Sequence, residues 1–497
     1  MQKFRKLPAV VLGTALLALG ISPAAAPALA STRAAGPAAT KTVTGTLADG
    51  ATYKIEVPDP WNGTLFLYSH GYVTPNSNPN PNPATDVGDP VTGAWLLSHG
   101  YALAGSSYAT TGWAIQQALP DQIGTLNAFD TTFGHPAQTI AWGHSLGGII
   151  TAGLIQTYPR RFKAALPMCG VLAGGVATWN TALDAEFAFQ QLIAGPAGDN
   201  LQLVNITNPL GNLATASTLA KNAQLDTTGK SQARLALVAA LGDTPGWFTP
   251  LSPEPARNDF AAQEANQELW DVNVTFPFVF ALRAELEARA GGNVSWNTGV
   301  DYFRDLRKSA DFREVRALYK AAHLSLRADL RKVNGAARIS ADPAAVRYLA
   351  QNITFNGRLS MPVLTMHTTG DGLVVPENEQ AYSSVVARAG DSRLLRQIFV
   401  HRAGHCAFTP AETITAAQTL LKRLATGHWN DQALRPAHLN AAAASLGPAD
   451  NIFGAQGPTC PVGTPVDGFC ATPPAFLRYR PARYLRPFDR LMFHVHR

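Results

Sequence analysis

Short apolar runs alternate with amphipathic ones over the first third of the chain and again after residue 360, and a long helical stretch separates the two blocks. Residues 41–57 alternate polar and apolar side chains around Ala48-Asp49-Gly50, which predicts a hairpin. Residues 63–69 (GTLFLYS) form an apolar strand ending in His70-Gly71-Tyr72, and a Pro-, Asn- and Asp-rich loop spans 74–89. A helix is expected to begin at Trp95, a second buried strand spans 101–107, and helical spacing covers 117–133. Gln138 to Trp142 then runs as a strand into Gly143-His144-Ser145-Leu146-Gly147, with an apolar helix at once behind it, closing at Tyr158-Pro159. Residues 162–169 give a further strand, bent at Pro167. Strands that are apolar throughout and alternate with helices predict a mostly parallel sheet covered on both faces.

From about 170 to 357 that alternation stops and helical periodicity takes over, at 230–241, 259–269, 278–290 and 314–333. Strand character returns at 361–367, ending in Thr369-Gly370-Asp371, and at 393–400, ending in His401 and Gly404-His405. Thr409, Pro410 and Glu412 spell a capping box for a closing helix that runs to about Ala425. The expected division is a sheet core at 41–169 and 358–425, a helical cap inserted at 170–357, and a linker with a C-terminal extension at 426–497. No internal repeat is visible.

The first thirty residues stand apart. Lys3, Arg5 and Lys6 precede an apolar run from Leu7 to Ile21, and Ala28-Leu29-Ala30 fits a cleavage site, so 1–30 read as a secretory signal peptide and the protein as exported. The run is shorter than the roughly twenty residues a spanning helix needs, and no later segment is long and apolar enough, so no stable membrane insertion is expected. The formal charge of +6 includes those three leader cations and a net five from the Arg-rich last 27 residues; the rest is close to neutral. That excludes a broad basic face for nucleic acid. Oligomeric state is not legible.

Ser145 sits where chemistry is expected. A glycine-flanked serine between a strand and a helix lies on a turn so tight that its backbone is strained and its hydroxyl is held clear of packing. Asp371 and His405 end two later strands, and strand ends of a parallel sheet converge on one edge. A serine hydroxyl needs a base to take its proton; His405 can do so and return it to a leaving group, and Asp371 can orient and stabilise the imidazole. The oxyanion needs preorganised donors, for which the Leu146 amide at the helix start and the Tyr72 amide after the 63–69 strand are the candidates. His70 and Gly71 would shape that loop, and His144 would orient or pack. His401 competes with His405 as base, and Asp184 or Glu186 with Asp371 as acid. Trp179 and the cap aromatics read as core. Nothing in this set calls for a metal or organic cofactor.

On these residues the chain resembles the α/β-hydrolase superfamily, over about 41–425 with the cap as a variable insertion. The resemblance implies a doubly wound, mostly parallel sheet and a Ser145-Asp371-His405 triad, with Gly370-Asp371-Gly-Leu-Val-Val-Pro376 similar to the acid loop of many members. The single glycine before Tyr72 departs from the His-Gly-Gly-Gly loop of lipases. The implied activity is hydrolysis of a moderately hydrophobic acyl or aryl ester, with a small-molecule or oligomeric ester as substrate. A peptidase or amidase of the same fold and a non-catalytic binding relative are the alternatives, and cofactor-free haloperoxidase or lyase chemistry would reuse the same residues. Cys460 and Cys470 bracket a short loop and are expected to pair, leaving Cys169 and Cys406, beside the elbow strand and the base, as a second pair.

Overall fold

The computed structural model describes residues 39–75, 83–195, 200–455, 465–466 and 469–488. The expected leader at 1–30 lies outside the described residues, as does Cys460 and with it the expected Cys460–Cys470 pair.

β1 (Thr40–Thr46) and β2 (Thr52–Pro58) form the expected hairpin, antiparallel with Thr46 facing Thr52. β3 (Thr64–Ser69), β4 (Ala102–Ser106), β5 (Gln138–His144), β6 (Ala164–Met168), β7 (Val363–Gly370) and β8 (Leu395–Ala403) run parallel to one another, and β3, β4 and β6 are buried at every position. The sheet order is β1-β2-β4-β3-β5-β6-β7-β8, extended at the far edge by a later two-residue strand. Strand 2 pairs antiparallel with strand 4 and the order reverses between strands 3 and 5. This is the arrangement of the α/β-hydrolase fold.

Two layers of helices make those strands apolar on both sides. α1 (Pro90–Ser98) covers one face, and α2 (Ile115–Phe133) and α3 (Leu146–Thr157) the other. α1 begins at Pro90, earlier than the expected Trp95. Asp89 caps it by accepting from the Thr92 amide at 2.8 Å, and Pro90 occupies the first turn, where no amide is needed.

The insertion is helical: α4 (Gly175–Phe189), α5 (Pro209–Gln224), α6 (Lys230–Gly242), α7 (Phe260–Trp270), α8 (Arg283–Ala290), α9 (Tyr302–Leu306), α10 (Phe312–Ala321), α11 (Leu326–Gly335) and α12 (Pro343–Gln351). Much of it has its own apolar core around Phe187, Leu237, Phe280 and Tyr319, and α4 bridges to the sheet through Val176 and Trp179. The continuous helix expected at 314–333 is broken in two. His323 takes a left-handed conformation (φ 53°), and Ser325 starts α11 by accepting from the Ala328 amide. The first part of the helix expected at 278–290 is a π-helical turn at Phe278–Leu282.

After β7 come α13 (Glu377–Ala389), β8 and α14 (Pro410–Thr426), whose capping box is present as spelled: the Thr409 hydroxyl accepts from the Glu412 amide and the Glu412 carboxylate from the Thr409 amide. Among the described residues, the stretch expected as a linker after 426 carries a helix and short strands instead. α15 (Pro436–Ala444) packs on α14, β9 (Ile452–Ala455), β10 (Pro465–Val466) and β11 (Phe469–Ala471) form a small sheet, and β12 (Phe476–Leu477) pairs with Val400 and Phe399 at the main sheet's edge. Its alanines supply helix propensity that an Ala/Pro reading as linker overlooks. The extension then returns to the cap: Tyr484 is buried and the Arg486 guanidinium pairs with Asp184 on α4.

Candidate active site

β5 passes into α3 through Ser145, whose φ of 58° and ψ of −122° lie outside the ordinary basins for an L-residue. The strain is held by packing. A Cβ at Gly147 would fall 1.9 Å from the Ser69 carbonyl oxygen, so only glycine lets α3 start this close to β3. The Ser145 amide donates to the Met168 carbonyl at 3.0 Å, tying the turn to β6.

His405, on the loop after β8, places Nε2 2.7 Å from Ser145 Oγ and Nδ1 2.7 Å from Asp371 Oδ2. Asp371 is fully buried after β7. Its Oδ1 accepts from the Leu373 and Val374 amides, each at 3.0 Å. Burial alone would raise its pKa, but the charge and hydrogen bond of His405 and the close contact and charge of His367 outweigh that and bring it down to about 2. The carboxylate is therefore ionised at neutral pH. Three strand ends thus bring a hydroxyl, an imidazole and a carboxylate into one line.

Leu146 is the first residue of α3, where helix geometry leaves an amide without an intrahelical acceptor. Gly71 lies directly over the serine: a Cβ there would be 3.4 Å from Ser145 Cβ and 3.9 Å from its Oγ. Tyr72 follows, half-buried, with its ring edge-on to Phe278 of the cap at 5.2 Å. His70 stacks on Tyr108 with ring centroids 3.9 Å apart, and its nitrogens lie 2.8 Å from the Gly71 carbonyl and 3.1 Å from that of Ser107. It holds the loop and does not touch Ser145 through any hydrogen bond.

The competing residues are elsewhere. His401 is exposed and pairs with Glu254 at 3.1 Å. Asp184 accepts from Tyr302 and Arg486, and Glu186 pairs with Arg283 at 2.9 Å inside the cap. Trp179 packs edge-on to Trp113. His144 lies 3.1 Å from the Tyr68 hydroxyl; burial, then the charge of His405, lowers its pKa to about 4, which keeps it neutral. Cys169 and Cys406 form a disulfide, which joins the end of β6 to the residue after His405 and brings Cys406 Sγ 3.4 Å from His405 Nε2.

Sequence reasoning passed over two buried groups behind Asp371. His367, on β7, lies between Glu379 Oε1 (3.1 Å from Nδ1) and the Val374 carbonyl (2.7 Å from Nε2), with Asp371 Oδ2 3.6 Å from Nε2. Glu379, on α13, also accepts from Thr365 and Gln397. A lone histidine in an apolar strand carries no signal of its own; the spacing of four residues to Asp371 was the available hint. Among the described residues no group of three or more His, Cys, Asp or Glu side chains is arranged to hold a metal ion, and no helix is long and apolar enough to cross a membrane.

No family model matches the chain. Among curated proteins it is similar to the o-phthalyl amidase of Xanthobacter agilis, with 28% identity over 437 residues, covering 80% of this chain and 90% of that protein. Among solved structures it is similar to an esterase from Aspergillus oryzae (12% identity, 88% of this chain and 84% of that one, TM-score 0.41). Feruloyl esterase B from Aspergillus oryzae follows at 12% identity, 78% and 81% coverage and a TM-score of 0.37. The rice cell wall degrading esterase LipA from Xanthomonas oryzae gives 15%, 72%, 82% and 0.33. The strand order, reversing between strands 3 and 5, is what carries the fold.

Proposed function

We propose that this chain of α/β-hydrolase fold is an exported serine hydrolase that cleaves acyl compounds through a Ser145-His405-Asp371 triad. The observation that carries the reading is the continuous line of hydrogen bonds from Ser145 Oγ through both ring nitrogens of His405 to Asp371, each 2.7 Å. As Ser145 attacks the substrate carbonyl, His405 Nε2 takes its proton, and Asp371 stabilises the imidazolium. The Leu146 amide and the Tyr72 amide receive the oxyanion. His405 gives the proton to the leaving group, then activates water to release the acid from the acyl-enzyme. The leader at 1–30 and the Cys169–Cys406 bond support export.

The scissile bond is first read as a carboxylic ester, from the apolar cap over a serine triad. Amide hydrolysis is a second reading, favoured by the relation to o-phthalyl amidase, which spans 90% of that protein. Both use the same acyl-enzyme; they differ in whether an alkoxide or an amine must be protonated as it leaves. A panel of p-nitrophenyl esters of rising acyl length, run beside aryl amides and aminoacyl anilides, separates them, with Ser145→Ala as the control. Turnover of the esters with little on the amides supports the ester reading, and the reverse supports the amidase one. Turnover of neither by a folded protein contradicts hydrolase function.

A further inference from the structure

The buried histidine behind the acid has a geometry that a neutral ring does not satisfy. Both nitrogens of His367 face acceptors: Nδ1 the Glu379 carboxylate at 3.1 Å, and Nε2 the Val374 carbonyl at 2.7 Å with Asp371 Oδ2 at 3.6 Å. A neutral imidazole has one N–H, so one of these contacts would set a lone pair against an oxygen inside a fully buried site. The imidazolium satisfies both. We propose that His367 is a resident imidazolium and a positioning residue, which holds the Asp371 carboxylate through the same Oδ2 that His405 binds and makes Glu379, His367, Asp371 and His405 one line of alternating charge. This rests on the triad reading above.

The groups that face His367 support the assignment. From the acid loop comes Asp371 and from α13 comes Glu379, both fully buried, and Glu377, whose carboxyl pKa burial raises, stands at the start of that helix. β8 contributes the uncharged Gln397, which binds Glu379, and β7 the uncharged Thr365. His405 is the one further titratable group in the line, bound to the same Asp371 oxygen. Burial pulls His367 down, but its close contacts with the Asp371 and Glu379 carboxylates and their charges overcome that and lift its pKa to about 10.

The arrangement has two consequences for catalysis. Two buried carboxylates beside one imidazole would otherwise invite a proton onto one of them, and a proton on Asp371 would undo its hold on His405. With His367 charged, the buried set carries one net negative charge when His405 is neutral and none when His405 takes the serine proton. The same positive charge also moderates the basicity that Asp371 confers on His405.

The test has two arms. In protein labelled with 15N-histidine, the His367 ring, identified by its loss in the His367→Gln/Glu379→Gln variant, is expected to show two protonated nitrogens at neutral pH. A ring with one protonated nitrogen overturns the proposal. His367→Gln alone strands Glu379 and can fail to fold, so the His367→Gln/Glu379→Gln double variant, which is neutral in both positions, carries the kinetic arm. Its kcat is expected to fall about tenfold with KM within about twofold, and the acid limb of kcat/KM against pH to move up by about half a unit, because His405 loses a nearby cation. A histidine that only fills space would lower kcat or stability and leave that limb in place, which is the contrary result. The readings fail separately: a parent protein with a doubly protonated His367 that takes no fluorophosphonate at Ser145 contradicts the triad, whereas full labelling with a singly protonated ring contradicts this inference alone.

Discussion

Two buried acids, Asp371 and Glu377, lie six residues apart in the chain and behave in opposite ways. Asp371 has two imidazoles beside it and two amides on its other oxygen, and its pKa falls to about 2. Glu377, at the start of α13, is just as buried but faces Asp243 and Asp311. Burial, and next the charge of Asp311 against a restraining backbone hydrogen bond, raises Glu377 to about 7. Asp243, at the end of α6, is raised well above its ordinary value by burial and then by Glu377, and neither of its oxygens has a hydrogen-bond partner among the described residues. Burial is the common factor and the partner sets the sign. Asp371 belongs to the proposed triad at the sheet edge. Glu377, with Asp243 and Asp311 of the cap near it, is expected to weaken the fold as pH rises.

Breaking the partnered side gives the largest expected effect. Asp371→Asn should lower kcat about 10³- to 10⁴-fold with the fold retained, because the amide can no longer stabilise the imidazolium or fix its tautomer. Steady-state kinetics beside a circular dichroism melt checks this; a loss under tenfold would contradict the assigned role. The covalent tie on the same side comes next. Cys169→Ser/Cys406→Ser should cost about 2–5 kcal/mol in denaturant unfolding, since the bond spans 237 residues of chain, and should lower kcat more than it raises KM because Cys406 adjoins His405.

The acid-flanked side sharpens the comparison through pH. A carboxyl raised in the folded state stays protonated while the unfolded chain ionises, so the folded state holds the extra proton and stability falls as pH rises from about 4.5 to 7. Asp371 works the other way: its contribution is present above about 3.8 and is lost as pH falls through about 2. Glu377→Gln should therefore match the parent near pH 4.5 and exceed it at pH 8 by on the order of 1–3 kcal/mol, read from urea unfolding at the two pH values. An equal difference at both would contradict the cause given. The smallest effect is expected at Tyr72→Phe. If Tyr72 donates through its backbone amide and packs its ring on Phe278, kcat should stay within about twofold.

How much of this was legible in the sequence follows from where the constraints lie. Ser145, Asp371 and His405 are announced locally, by glycines at tight turns and by strands that stop just before them, so their convergence followed from the parallel sheet alone. The edges of elements were less legible. Asp89 and Pro90 carry a capping signal that brings α1 forward, and the break at His323 has neither glycine nor proline to mark it. The return of the C-terminal extension was not legible either, because β12 is two residues long and Arg486 finds Asp184 across 302 positions of sequence. His367 and Glu379 were missed for the same reason: their meaning lies in each other and in Asp371, which share a site only after β7 and α13 have packed.

The central claim is that Ser145 is a nucleophile activated by His405. Labelling with a fluorophosphonate, followed by peptide mass mapping of the parent, Ser145→Ala and His405→Ala, tests it most directly. The account predicts a single adduct at Ser145 in the parent, none in Ser145→Ala, and labelling slowed at least about 10³-fold in His405→Ala. An adduct on another serine, or labelling at Ser145 that is indifferent to His405, would contradict it.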